Sequence, residues 1–228
     1  MACLALLLEF GFGDRVTAVH IDTGAELPEV HEVLERIRPL VRDVVIVRSD
    51  VKEFIKWNGL PTDLVVADNT AFGKQCSHTT TGARVCDKYS CCKANIWDPW
   101  MYYAEHCEDT GFIVGDKHHD AYGRMGDEMT FGNKKVEVCH PIKDWSDEDV
   151  LAYLYERDFM FGQEKRMSLK HSSFDCWCCS AYWEVAKERL EYLEEFHKDL
   201  AVLARRQYEM VRHDAAKKLA VINNILEK

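Results

Sequence analysis

Apolar residues in the first 60 positions form short continuous runs and stripes at helical spacing. The runs at 16–21 and 44–47 are rich in β-branched residues and predict two buried strands. Between them, apolar residues lie on one helical face, with Pro28 in the first turn and Pro39 after the last turn, which predicts a helix. Further helices are predicted at 2–10 and from about 51 to 57. Strands that alternate with helices predict a parallel sheet that binds ligands at the carboxyl ends of its strands.

The middle of the chain predicts two more strands and one well-specified helix. Residues 111–115 and 136–139 are short apolar runs that are typical of strands. Ser146 is placed as the N-cap of the helix, with Asp149 three residues later, as in a capping box. A helix is also predicted around Trp100, whereas residues 59–90 show no clear pattern.

The last 48 residues have a pattern of their own. No glycine or proline follows Ser180, apolar residues recur at helical spacing, and charged residues fill the positions between them. We therefore predict a helical tail at 181–228, as two helices or one kinked helix, after a domain at 1–180. The tail is expected to pack against that domain or against a second copy of the chain, which would make a homo-oligomer.

Composition limits the class of protein. The 228 residues are 47% hydrophobic and 30% charged, which is typical of a globular protein with a packed core. The formal net charge of -10 argues against a general nucleic-acid coat but allows a local basic pocket. The opening segment has no basic n-region or cleavage site and is too short to span a bilayer, so no membrane association and a cytoplasmic location are expected. Thiols stay reduced there, so ten cysteines favour metal binding or chemistry over disulfides.

The first candidate binding segment follows the first predicted strand. It consists of Asp22, Thr23 and Gly24, which would lie at a carboxyl end of the sheet. A polar triplet at this position is equally typical of an ordinary turn.

The second candidate segment follows the strand that ends at Gly115. Lys117 and Arg124 are natural partners for a phosphate or sulfate group. His118, His119 and Asp120 could instead bind a metal. Because adjacent histidines point in different directions, a solvated loop or an anion-binding loop is favoured.

Two cysteine pairs form the strongest candidate metal site. Cys176 and Cys179 form a C-x-x-C pair, whose short loop lets two thiolates reach one metal centre, and Cys91-Cys92 offers two more ligands. Their chemistry would suit an iron–sulfur cluster or zinc, while two separate pairs of buried structural cysteines are the alternative without a metal. Cys86 and Cys178 are possible substitute ligands.

Three segments resemble the phosphoadenosine phosphosulfate (PAPS) and adenylyl sulfate reductase family, within the adenine nucleotide alpha-hydrolase-like superfamily. His20-Ile-Asp-Thr-Gly-Ala-Glu-Leu-Pro-Glu29 is similar to the family's strand with its I-D-T-G-x-x-x-P-E motif. Phe112-Ile-Val-Gly-Asp-Lys117 through Arg124 is similar to its G-x-R…R loop, with lysine in place of the first arginine. Pro141-Ile-Lys-Asp-Trp-Ser-Asp-Glu-Asp-Val150 closely resembles its P-I-x-D-W segment. Eighty-three residues separate Cys92 from Cys176, which is similar to the spacing in the iron–sulfur members.

The resemblance implies a fold, a ligand and a cofactor. It implies a three-layer, doubly wound, mostly parallel sheet that binds an adenine nucleotide or sulfonucleotide. Asp22, Thr23, Gly24 and Gly115 would line the cleft, and Lys117 and Arg124 would hold the anionic group. The four cysteines Cys91, Cys92, Cys176 and Cys179 would hold a [4Fe–4S] cluster, with zinc as the alternative. The implied enzyme is an oxidoreductase that reduces the sulfonucleotide to sulfite, with a thioredoxin-like protein as reductant.

The sequence departs from the family pattern at both ends. The S-G-G-K-D-S phosphate loop is missing, and its strand is expected either upstream of Met1 or lost. The C-terminal E-C-G-x-H motif that carries the nucleophile is also missing, since no cysteine follows Cys179. Cys178, Cys139 and Cys76 could in principle replace it, so the catalytic residue is unassigned. The alternatives are ATP-dependent sulfur transfer to nucleic acid, as in DNA phosphorothioation systems, and a catalytically silent nucleotide-binding or scaffold protein.

Overall fold

The computed structural model is a mixed α/β protein that describes residues 1–109, 111–118, 126–161 and 176–227. Its α-helices are α1 (Ala2–Glu9), α2 (Pro28–Ile37), α3 (Val51–Asn58), α4 (Ala71–Ser77), α5 (Lys88–Cys92), α6 (Asp98–His106), α7 (Asp147–Glu156), α8 (Trp183–Phe196) and α9 (Lys198–Leu226). Its strands are β1 (Thr17–Asp22), β2 (Asp43–Arg48), β3 (Leu60–Thr62), β4 (Val85–Asp87), β5 (Gly111–Ile113), β6 (Glu128–Phe131) and β7 (Lys134–Cys139). Among the described residues, none of the helices combines the length and apolar character needed to cross a bilayer.

The predicted alternation of helix and strand in the first 60 residues is confirmed. From α1 to α3, each predicted element is present with its ends shifted by at most two residues. Local capping explains where α3 begins, because the Asp50 carboxylate accepts a hydrogen bond from the Glu53 amide at 2.9 Å. At the other end, Gly59 adopts a φ of 98°, which a residue with a side chain rarely adopts.

The described strands form three small sheets. β1 pairs with β2, β3 pairs with β4 in parallel, and β7 lies between β5 and β6. The pairing of β5 with β7 is parallel, whereas β6 pairs with β7 in an antiparallel hairpin. The parallel pairs agree with the predicted α/β class at this coarse level. The three-layer, doubly wound arrangement stays a prediction.

The chain divides into two compact units, and the first contains the described residues of Met1–His20, His31–Val47 and Trp100–Glu164. One of its cores joins α1 to α7, with Ala2, Ala5 and Leu154 buried together. A second core lies around Trp100, whose ring centroid is 5.1 Å from that of Phe131. α7 begins with the predicted capping box, because Ser146 and Asp149 each bond the other's backbone amide. That prediction is confirmed.

The second unit contains the described residues of Ile21–Val30, Arg48–Pro99 and Lys165–Lys228. Its main core joins three distant chain segments, and its buried members are Ala25, Leu27, Val51, Cys91, Trp177, Cys178, Tyr192, Leu193, Ala201 and Ala204. The tail is helical, as predicted, and forms the two helices α8 and α9. Both helices contribute buried residues to this core, so the tail is an integral part of the second unit.

Candidate functional site

The two predicted cysteine pairs lie in the second unit. Cys91 and Cys178 are buried members of its main core, and Cys176 packs against the same core. None of the ten cysteines, all of which lie within the described residues, forms a disulfide. The fold therefore brings the Cys91-Cys92 segment and the C-x-x-C segment, which are distant in sequence, to one apolar region.

Cys91 and Cys92 end α5, and the helix continues through an unusual turn. The Asp87 carboxylate caps α5 by accepting a hydrogen bond from the Ser90 amide at 2.8 Å. Residues 93–97 then form a π-helical turn before α6 begins. The buried Asn95 amide donates to the Cys91 carbonyl at 3.0 Å and lies 3.8 Å from the Cys91 sulfur. π-Helical turns are rare and often mark functional sites, which agrees with this location for a ligand pair.

The C-x-x-C loop contacts the segment that follows β1. The Cys179 amide donates to the Cys176 carbonyl at 3.0 Å, which closes the loop. The Trp177 amide donates to the Ala25 carbonyl at 3.0 Å. The hydroxyl oxygen of Thr23, a buried residue, lies 3.1 Å from the Cys176 sulfur. One residue of the predicted nucleotide turn thus contacts a predicted metal ligand.

The tail fixes the other end of the C-x-x-C loop. The buried Arg189 guanidinium donates to the Cys179 carbonyl at 3.0 Å, and the Tyr208 hydroxyl donates to the same oxygen at 3.1 Å. The next residue, Ser180, is fully buried and donates from its hydroxyl to the Pro61 carbonyl at 2.8 Å. Sequence reasoning missed Arg189 and Tyr208, because nothing in a helix rich in charges distinguishes an arginine that points inward.

Electrostatics keeps the buried thiols protonated in the absence of a cation. Burial raises the pKa of Cys91 far above its usual range, and negative charge on Cys86, Cys92, Cys176 or Cys179 would raise it further. Burial also raises the pKa of Cys86 and that of Cys178 to about 12 each. A bound metal cation would offset the repulsion between the thiolates. Metal binding would therefore displace the protons of these thiols.

The donor set fits a thiolate-bound metal centre in its chemistry. Four reduced cysteines in one unit suit an iron–sulfur cluster or zinc, because thiolates are ligands for both. Within the part of the chain that the structure describes, no three His, Cys, Asp or Glu side chains are grouped closely enough to hold a metal ion. Among the described residues, the structure therefore brings the predicted ligands into one region without arranging them as a metal site.

The turn at Asp22, Thr23 and Gly24 is well defined. Asp22 accepts a hydrogen bond from the Gly24 amide at 2.8 Å, and Gly24 adopts a φ of 75°. The Val51 amide donates to the Thr23 carbonyl at 2.9 Å, which connects the turn to the start of α3. The side chain of Arg48 lies 3.8 Å from the Asp22 carboxylate. Arg48 is a cation at this turn that the sequence did not single out.

The candidate anion-binding residues Gly115 and Lys117 lie in the first unit. Lys117 follows β5, as predicted, whereas Gly115 was predicted to end the strand, which the structure ends at Ile113. The Lys117 ammonium lies 3.1 Å from the Asp147 carboxylate at the start of α7, and His118 lies 3.2 Å from that of Asp144. A Cβ at Gly115 would make an ordinary van der Waals contact of 3.8 Å with the Ile142 side chain, so the packing there does not require a glycine. Arg124, His119 and Asp120 lie outside the described residues.

No protein-family model and no curated protein matches this chain. The resemblance to the sulfonucleotide reductases therefore depends on the three motifs and on the spacing of the cysteines.

Glu29, the last residue of the first motif, is a buried carboxylate. It accepts hydrogen bonds from the Tyr192 hydroxyl at 2.8 Å and from the His197 ring at 2.9 Å. Burial alone would raise the pKa of Glu29, but its hydrogen bonds with the backbone, Tyr192 and His197 lower it below the usual value. The motif that is expected to bind a nucleotide is thus connected to the junction of α8 and α9.

Proposed function

We propose that the protein is an iron–sulfur, adenine-nucleotide-binding enzyme of the sulfonucleotide reductase family. It reduces adenylyl sulfate or phosphoadenylyl sulfate to sulfite. The observation that carries the proposal is the 3.1 Å contact between Thr23 and the Cys176 sulfur. A nucleotide bound at the Asp22–Gly24 turn would lie beside the cysteine set, which is the juxtaposition that such an enzyme requires.

The proposed roles follow from the chemistry of each side chain. Asp22, Thr23 and Gly24 would line the nucleotide cleft, and Lys117 and Arg124 would hold the anionic group of the substrate. Gly115 would allow the close approach of a ligand to the backbone. The proposed fold around them is the three-layer, doubly wound sheet of the adenine nucleotide alpha-hydrolase-like proteins.

Cys91, Cys92, Cys176 and Cys179 would hold the [4Fe–4S] cluster. When bound, such a cluster would supply the redox chemistry of its iron atoms in this region. Asn95 would orient Cys91, because its amide contacts both the carbonyl and the sulfur of that residue. Arg189 and Tyr208 would hold Cys179 by its carbonyl oxygen. Zinc is the alternative occupant, since four thiolates also suit it.

The nucleophile is the open part of the proposal. In reduction to sulfite, a thiolate attacks the sulfur of the substrate, the nucleotide leaves, and a thioredoxin-like dithiol then supplies two electrons and releases sulfite. Cys178 is poorly suited to this role, because it is buried and its pKa is raised to about 12, so its thiol stays protonated at neutral pH. Cys76 and Cys139 are exposed, so they are the better candidates for the nucleophile, and substitution of each to serine tests them.

Anaerobic purification tests the cofactor directly. We expect a brown protein with four iron atoms per chain, as a [4Fe–4S] cluster requires. Cys91→Ser is expected to lose most of this iron, whereas Cys107→Ser, which changes a cysteine of the first unit, retains it. A colourless protein that contains stoichiometric zinc and no iron contradicts the iron–sulfur proposal.

Sulfite release tests the reaction. Adenylyl sulfate or phosphoadenylyl sulfate is supplied with reduced thioredoxin. Sulfite is measured together with the nucleotide product, which is adenylate from the first substrate and 3′-phosphoadenylate from the second. We expect the two products in equimolar amounts. Thr23→Val is expected to lower the rate of their release, and the conservative Thr23→Ser to maintain it. If sulfite is not released and ATP is hydrolysed only with a nucleic-acid acceptor, sulfur transfer replaces reduction as the activity.

A further inference from the structure

The second unit has a basic groove whose lining contains none of the candidate cysteines. It runs between the C-terminal end of α3 and the segment from α4 to β4, and it encloses about 650 Å³, within the range of about 300–1,000 Å³ that is typical of small-ligand sites. Its charged and aromatic lining residues are Lys56, Trp57, Lys74 and Arg84. None of the residues that line it is acidic, although the chain has a net charge of -10.

Two cations of the groove are held by neutral groups. The Lys74 ammonium donates to the carbonyls of Thr81 and Gly82 at 2.6 and 3.0 Å. The Arg84 guanidinium donates to the Trp57 carbonyl at 2.9 Å, which caps the end of α3. Within the described residues, no carboxylate forms an ion pair with Lys74 or Arg84. Both positive charges are therefore available to an anionic ligand.

An exposed indole ring stands beside these charges. Trp57 is 61% exposed, and its ring N–H donates to the Glu53 carboxylate, which fixes the orientation of the ring. Glu53 also pairs with Lys56 at 3.1 Å, so Lys56 adds little net charge to the groove. A fixed, open aromatic ring next to unpaired cations is the combination that binds a phosphate group and an unpaired base together.

The wall of the groove opposite α3 is the segment from α4 to β4, and hydrogen bonds to α9 fix its position. The buried Asp214 carboxylate of α9 accepts hydrogen bonds from the Ala83 amide at 2.6 Å and the Asn69 amide at 3.0 Å. Gly82 adopts a φ of 79°, and a Cβ there would lie 2.8 Å from the Asn69 side chain. The segment that carries Lys74 and Arg84 is thus fixed before any ligand binds, which lowers the entropic cost of binding.

We propose that this groove binds single-stranded nucleic acid. Lys74 and Arg84 contact successive phosphates, and a base stacks on Trp57. Stacking requires an unpaired base, so a duplex is a poor ligand. The acidic character of the rest of the chain limits binding to this local surface. The proposal does not rest on the sulfonucleotide reductase activity.

Fluorescence anisotropy with the full chain and a labelled 12-nucleotide oligothymidylate tests the proposal. Two phosphate contacts predict that log K falls with log salt at a slope of about -1.4 between 50 and 200 mM KCl. Trp57→Ala is expected to weaken binding by about 5- to 150-fold, and Trp57→Phe to retain most of it, because a ring remains for stacking. Lys74→Gln is expected to weaken binding and to make the salt slope shallower by about 0.7.

Matched control variants alter similar side chains elsewhere. Lys187→Gln removes a lysine whose side chain is 83% exposed on α8, and Tyr155→Ala removes an aromatic ring that is 79% exposed in the first unit. Both are expected to bind as the unaltered chain does, and circular dichroism verifies that every variant is folded. Three outcomes overturn the proposal: no binding in 50 mM KCl, equal losses in the controls, or binding of duplex or ATP that is equally tight and insensitive to Trp57→Ala.

Discussion

Replacement of Glu29 tests whether one buried carboxylate joins the first motif to the tail. Glu29 lies at the start of α2 and is 2% exposed, and it accepts hydrogen bonds from Tyr192 of α8 and from His197 between α8 and α9. Glu29→Ala removes the acceptor for both donors at once. The Tyr192 hydroxyl, which is also buried, then loses its bond to the carboxylate.

The expected loss of stability follows from these two bonds. A hydrogen bond to a charged acceptor contributes about 1.5–3 kcal/mol, so the two together predict a loss of about 3–6 kcal/mol in the free energy of unfolding. Tyr192→Phe removes one donor and keeps the carboxylate, and we expect it to cost about 1–2 kcal/mol. Because the three groups are in contact, the double variant is expected to lose less than the sum of the single losses.

Urea unfolding at pH 7, followed by circular dichroism, measures these free energies. The matched control is Glu32→Ala, which removes an exposed glutamate from the same helix, and its expected effect is within about 0.5 kcal/mol. If Glu29→Ala costs less than about 1 kcal/mol, or no more than the control, the network does not stabilise the second unit and the reasoning is refuted.

The lowered pKa of Glu29 adds a dependence on pH. A carboxylate with a lower pKa in the folded state stabilises the fold above its unfolded pKa of about 4.3, and this contribution disappears as the pH falls through the folded value. We therefore expect the stability difference between the unaltered chain and Glu29→Gln to be constant between about pH 5 and 7. The difference should shrink below about pH 4. An unchanged difference at pH 3 would show that folding does not lower the pKa of Glu29.

Three further substitutions test other parts of the structure by urea or thermal unfolding. Asp214→Ala leaves the Ala83 and Asn69 amides without their acceptor and should lower the free energy of unfolding by about 2–4 kcal/mol. The control Lys217→Ala alters only an exposed ion pair with Asp214 and should cost less than about 1 kcal/mol. Gly59→Ala should cost more than about 2 kcal/mol, because the position has a φ of 98° and a Cβ would collide with the backbone of Arg84. A loss below about 0.5 kcal/mol would contradict that geometry. Ser146→Ala should cost about 1 kcal/mol through loss of the capping box of α7, and an unchanged melting temperature would argue against it.

Elements with a local signature could be predicted from the sequence. The strand β1, the helix α2 and the N-cap at Ser146 each depend on a pattern within about ten residues, and all are present in the structure. The strand β6 was missed, because Glu128-Met-Thr-Phe131 is short and acquires its structure by pairing with β7. The signal for a hairpin in the sequence was the dipeptide Gly132-Asn133 between the two strands. In the structure, Gly132 adopts a φ of 57° at this turn.

The candidate site shows the same division. The spacing of the cysteines identified both pairs, and the structure places them around one core. The residues that position them were not predictable, because Asn95, Arg189 and Tyr208 act through carbonyl oxygens of distant or neighbouring segments. A hydrogen bond from a side chain to a backbone oxygen leaves no trace in the pattern of residue types. The basic groove was missed for a similar reason, since Lys56, Lys74 and Arg84 are dispersed in the sequence.

The discontinuity of the second unit has a consequence for the order of events during synthesis. Val211 of the tail is buried against Leu60 and Val85, near the segment that carries Cys91 and Cys92. Val211 follows Cys92 by roughly 120 residues, which take about 6–24 s to translate at about 5–20 residues per second. Cys176 and Cys179, the proposed partners of these two thiols, follow Cys92 by 84 and 87 residues, so the nascent chain carries the first pair alone for about 4–17 s of this interval. Full loading of a four-thiolate cofactor would therefore have to be a late step, and oxidants in the cell could reach this first pair before the fold shields it.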